Sequence, residues 1–79
     1  MLVYFMLSEK NGDIYQYHYS RETQEYDGLI EYNSVNKKIY IVTPSRIDAG
    51  SAISQSITIR DFNIVVRDDF PERRTVAHG

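Results

Sequence analysis

Between Leu2 and Val42 apolar-rich stretches alternate with short polar, turn-forming ones, and within the stretches successive side chains fall on opposite faces, the pattern of β-strands. Two turn signals divide it. Lys10-Asn11-Gly12-Asp13 carries the Asn-Gly pair that tolerates the positive φ of a type I′ turn, so residues 2–10 and 13–20 are predicted to form a tight hairpin. With Lys10 opposite Asp13, Tyr4 falls opposite Tyr19 and Phe5 opposite His18. Leu2, Tyr4, Met6, Tyr15, Tyr17 and Tyr19 then share one face, and Val3, Phe5, Leu7, Ile14, Gln16, His18 and Ser20 share the other. The first of these strands is apolar on both sides, which calls for cover on both faces, from the chain's own sheet or from a partner chain.

The polar segment 21–27 reads as a loop closed by Gly28. A second hairpin follows over residues 29–32 and 38–42, with Asn36 expected in the left-handed position of the turn. That register puts Leu29, Ile39 and Ile41 on one face and Ile30, Tyr32, Tyr40 and Val42 on the other.

Beyond Pro44 the pattern loosens. Ser45 and Asp48 have capping-box spacing, and Ile47, Ala49, Ala52 and Ile53 gather on one side of a helical wheel, but Gly50 and the serines oppose a helix. A loop leading into a strand is the favoured reading of residues 45–55. Apolar positions then fall on odd numbers at Ile57 and Ile59 and on even numbers at Phe62, Ile64 and Val66, so a strand here needs a bulge or turn at Asp61-Phe62-Asn63. Residues 63–67 are expected to form an exposed strand edge suited to pairing, and residues 71–79 a flexible tail. The predicted architecture is mainly β: one small domain over residues 1–70, with five or six antiparallel strands in meander order. The sheet is expected to be curled or partly closed into a small barrel, with at most one short helix near residues 45–55.

Composition agrees with the strand reading. The 79 residues include nine Ile and six Val, against eight Leu, Ala and Met together. Nine basic and eleven acidic side chains give a net charge of −2, without the basic excess that phosphate binding draws on. The absence of cysteine removes disulfides, thiolate nucleophiles and cysteine zinc sites, and is in keeping with a reducing, cytoplasmic setting. The apolar run Met1–Leu7 lacks a basic flank and is too short for a membrane span, so it reads as a buried strand.

Seven of the ten aromatic residues are tyrosine, and Tyr4, Tyr15, Tyr17 and Tyr19 are expected in one row. Such rings make a rigid amphipathic contact surface or, with their hydroxyls led to a partner, part of a core. The same row is the basis of an alternative, a small-barrel binder of single-stranded nucleic acid that stacks bases on tyrosine. Against that alternative stands the acidic run Glu22, Glu25, Asp27 and Glu31 beside the hairpin. These carboxylates lack the ligand rhythm of a calcium loop and read as solvated charges or as contacts for a basic partner.

Catalysis has little basis in the sequence. His18 is the one histidine outside the tail, and Phe5, Gln16 and Ser20 around it supply no nucleophile poised for a base. The expectation is therefore a non-enzymatic protein-interaction domain without metal or cofactor, binding a protein partner or a second copy of itself. Its candidate contact residues are Tyr4, Tyr15, Tyr17, Tyr19, Glu25 and Asp27.

Overall fold

The computed structural model describes residues 1–77, which form β1 (Leu2–Asn11), β2 (Ile14–Arg21), β3 (Gly28–Asn33), β4 (Lys38–Thr43), α1 (Ala52–Arg67) and β5 (Arg73–Ala77). The strands make one antiparallel sheet in the order β4-β3-β2-β1-β5. The mainly-β, antiparallel reading stands. The sheet is open, with β4 and β5 at its edges, and is not closed into a barrel. Nor is it a pure meander, because the chain crosses the sheet through α1 and lays β5 beside β1.

The first hairpin turns at Gly12-Asp13, with Asn11 opposite Ile14 and positive φ at Gly12 alone of the two central residues, as in a type II′ turn. A β-bulge between Leu7 and Glu9 then shifts β1 by one residue. A one-residue shift exchanges the faces of a strand. Val3, Phe5 and Leu7 therefore join Tyr17 and Tyr19, and Tyr4 and Met6 go to the opposite face beside Ser20 and His18. The expected row of Tyr4 with Tyr15, Tyr17 and Tyr19 does not form.

In the second hairpin Lys37, not Asn36, takes the left-handed conformation (φ 59°), and Asn36 instead accepts a hydrogen bond from the Lys38 N–H at 3.0 Å. The resulting register sets Tyr32 opposite Ile39 and Ile30 opposite Ile41, all on the face that carries Tyr17 and Tyr19. Leu29, Tyr40 and Val42 turn away, so that β4 lies with the opposite face of β3 from the one expected.

Residues 52–67, including the expected strand edge at 63–67, are one 16-residue helix. Ser51 caps it, its hydroxyl accepting from the Ser54 N–H at 3.2 Å. Thr58, Asp61, Phe62 and Val65 are buried at i, i+3, i+4 and i+7. The odd-to-even switch in the sequence is thus a 3.6-residue period. β-branched residues cost a helix only up to about 0.7 kcal/mol each. Burying a side chain such as Phe62 or Val65 returns about 1.5–3 kcal/mol, so packing overrides propensity.

Phe62 stands edge-on to Phe5 and Tyr17, with ring centroids 5.4 and 5.3 Å apart. Around it Val3, Tyr19, Ile30, Tyr32, Val65 and Val76 complete a core between α1 and one face of the sheet, the inner face. After the helix Asp69 (φ 62°) and Phe70 (φ 56°) reverse the chain. Phe70 stacks on Tyr15 at 3.8 Å and 6°. Arg73–Ala77, expected to lie in a flexible tail, pairs with β1 from Leu2↔Ala77 to Met6↔Arg73 because Val76 completes the core. Residues 78 and 79 of that expected tail lie outside the described residues.

Candidate functional site

The Ser45–Asp48 turn between β4 and α1 is held by a buried polar cluster. Asp48, fully buried, accepts from the Tyr19 hydroxyl (2.8 Å) and Thr58 Oγ1 (2.6 Å) on Oδ2, and from Arg21 Nη1 (3.2 Å) on Oδ1. The same Arg21 nitrogen donates to Ser54 O and Oγ at 3.1 and 3.0 Å. The Tyr19 hydroxyl also accepts from the Ser45 N–H at 2.9 Å. The cluster therefore binds β2, the turn and the start of α1 into one unit. Burial, aided by the Asp48 carboxylate and opposed by the Ser45 N–H, pushes the Tyr19 hydroxyl up to about 12.

Desolvating two charges offsets most of their attraction, so a buried Arg–Asp pair adds little net stability while penalising every arrangement that separates the partners. Arg21 Nε has no hydrogen-bond partner among the described residues. Outside the cluster Asp27 accepts from the Arg46 N–H at 2.8 Å and Glu25 from Arg46 Nη2 at 2.6 Å. A second tie lies at the other end of the helix, where the Tyr17 hydroxyl donates to Pro71 O at 2.6 Å. Burial, with Tyr15 nearby, raises its pKa above the ordinary tyrosine value.

The outer face of the sheet is different. No helix or second sheet among the described residues lies over it. Its side chains include Leu2, Tyr4, Met6, His18, Leu29 and Tyr40, with Met6, His18 and Leu29 in line across β1, β2 and β3. Tyr40 is 44% and Val42 52% exposed. A sheet covered on one side normally places polar residues on the other; here Leu2, Tyr4 and Met6 on β1 and Leu29, Tyr40 and Val42 on β3 and β4 flank a polar strip of Gln16, His18 and Ser20 on β2.

No protein-family model, curated protein or solved structure matches the chain.

The structure disperses the expected contact residues. Tyr17 and Tyr19 are core residues, 0% exposed, and form no contact surface. Tyr15 is half-buried between Phe70 and Tyr32. Tyr4 alone of the four lies on the outer face. Glu25 and Asp27 meet Arg46, and Tyr19 ties down the same turn from beneath. Arg21, Asp48, Ser54 and Thr58 were not singled out by the sequence; the one local signal was the Ser45–Asp48 spacing, which turned out to mark a turn and not a helix start. Tyr40 was missed as a surface residue because the register assumed for the second hairpin placed it with Ile30 and Tyr32. Among the described residues no group of three or more His, Asp or Glu is placed to hold a metal ion, and no helix is long and apolar enough to cross a membrane.

Proposed function

We propose that the chain is a non-enzymatic protein-interaction module that binds through the outer face of its sheet. The observation that carries this reading is the one-sided cover: α1 shields the inner face, while Tyr4, Met6, Leu29, Tyr40 and Val42 project from the other face with no layer above them. Large apolar side chains left without cover, half-buried at Tyr4, Met6 and Leu29 and exposed at Tyr40 and Val42, are characteristic of interaction sites. The buried Arg21–Asp48 cluster supports the surface from behind, since it fixes the loops at one end of the sheet.

Single-stranded nucleic acid is the second reading, and Tyr4, Tyr40 and Arg73 on the outer face favour it. Glu9 and Glu31 on the same face and the net charge of −2 oppose it. Carbene footprinting of the chain in dilute buffer and in clarified host lysate tests the proposal. Protection of Tyr4, Met6 and Tyr40, with Val35 and Ile53 labelled as before, is expected. Equal labelling of all five in both conditions refutes it.

A further inference from the structure

We infer that the occupant of the outer face is a second copy of this chain, packed sheet against sheet; this rests on the reading of that face as an interaction surface. Four observations favour this occupant. The first is shape. A twisted antiparallel sheet is best matched by another of the same hand, which packs at about 10 Å with strands about 30° from aligned. A copy of the same sheet brings that twist with it.

The second is charge. The charged strand residues on the outer face are Glu9, Glu31, Lys38 and Arg73, two of each sign. A face whose charges sum to zero does not repel its own copy. It offers little to a strongly acidic or basic partner.

The third is area. Five strands about 4.8 Å apart and about six residues long at about 3.3 Å each give a face of about 24 by 20 Å. That is about 480 Å² in projection and more with side-chain relief, close to the lower end of specific interfaces at about 600–800 Å² per partner. The size fits a reversible dimer with a dissociation constant of about 1–100 μM.

The fourth is the state of the edges. β4 begins at Lys38, carries a bulge at Val42 and is followed by Pro44; β5 is five residues long, carries Arg73 and Arg74 and is preceded by Pro71. Charge, bulge and proline all discourage edge-to-edge pairing. Self-association is therefore directed to the face.

Sedimentation equilibrium of the purified full chain, from about 1 to about 300 μM to bracket that range, tests the inference. Reversible dimerisation is expected. Met6→Arg at the centre of the face and Tyr40→Arg toward its margin each bring two cations into a two-fold interface and should weaken it at least about 30-fold. Ile53→Arg, on the exposed side of α1, should change it less than about twofold. Circular dichroism checks that each variant is folded, and Thr75→Arg, on the exposed outer side of β5, replaces any that is not. A dimer lost with Tyr40→Arg but indifferent to Met6→Arg and Thr75→Arg is an edge-paired dimer and overturns the inference. So does a dimer lost with Ile53→Arg alone. A wild-type chain that stays monomeric yet shows a protected outer face in lysate overturns the second copy and leaves the interaction reading standing. A monomer whose outer face is protected by a short oligonucleotide assigns the face to nucleic acid and overturns both.

Discussion

Replacing Asp48 by Asn keeps the shape of the side chain and removes its charge. With its oxygen kept toward Arg21 Nη1, the amide turns its nitrogen to the hydroxyls of Tyr19 and Thr58, which lose the acceptor of their O–H groups and must accept instead; turned the other way, the nitrogen meets the Arg21 donor. Arg21, 3% exposed, is left with a buried charge and no counter-ion. Breaking a buried pair from one side costs about 3–5 kcal/mol. A chain of 79 residues has a total stability of about 4–12 kcal/mol, so D48N should lower the melting temperature by about 15–30 °C. Thermal and urea unfolding followed by circular dichroism measure this. The double variant Arg21→Met/Asp48→Leu separates charge pairing from simple burial. If the pair is worth little net, the apolar replacement should recover at least about half of the D48N loss. A D48N loss below about 1 kcal/mol would refute the reasoning, because it would mean that the arginine escapes to water or that the turn opens without penalty.

At Gly28 an added Cβ would overlap the Tyr19 ring, so Gly28→Ala should cost about 1–3 kcal/mol in urea unfolding, and an unchanged midpoint would show that the ring has room to move. Phe62→Ala removes the ring at the centre of the core and should cost about 3–5 kcal/mol, leaving at best a marginally folded chain by the same assay. Stability should also fall in alkali. Both core tyrosines have raised folded pKa values, so their contribution is complete below the ordinary value of 10.0 and is lost as the pH climbs through the folded values, about 12 for Tyr19. The slope is up to about 1.4 kcal/mol per pH unit for each tyrosine. Urea midpoints that stay level from about pH 9 to about pH 11.5 would contradict this, and Tyr19→Phe should flatten the decline. The hydrogen bond from Arg74 first, and then the charge of Arg67 beside it, hold the exposed Asp68 carboxyl below its usual value. Arg74→Ala should move its NMR titration back upward.

The local part of the fold was legible in the sequence. Both hairpins, the polar segment before Gly28 and the β-rich composition are properties of neighbouring residues, and neighbouring residues report them. What the sequence concealed was phase. A single extra residue at the Leu7–Glu9 bulge decides whether Tyr4 or Phe5 sits with Tyr19, and nothing in Met6-Leu7-Ser8-Glu9 marks it. The four-residue turn 34–37 caused a similar error in the second hairpin. The helix was obscured because Ile57, Ile59, Ile64, Val65 and Val66 are strand-prone residues, and their burial against the sheet is a tertiary effect. The Arg21–Asp48 pair is 27 positions apart in sequence, beyond the reach of any local motif. The tyrosine row was the most visible feature of the sequence. It proved to be two buried rings that each tie down an approach to the helix, one ring stacked at the margin of the core, and one ring facing outward.

The sheet order places the first strand of the chain inside the sheet and the last strand beside it. During synthesis β1 can pair with β2 as soon as both have emerged, but its other edge stays open until Arg73–Ala77 has been made. Until then the nascent chain displays an unpaired strand that begins with six apolar residues, a ready template for aggregation with neighbouring nascent chains. Emergence of Arg73–Ala77 closes that window, so a pause in synthesis before β5 is free to pair should lower the yield of folded protein.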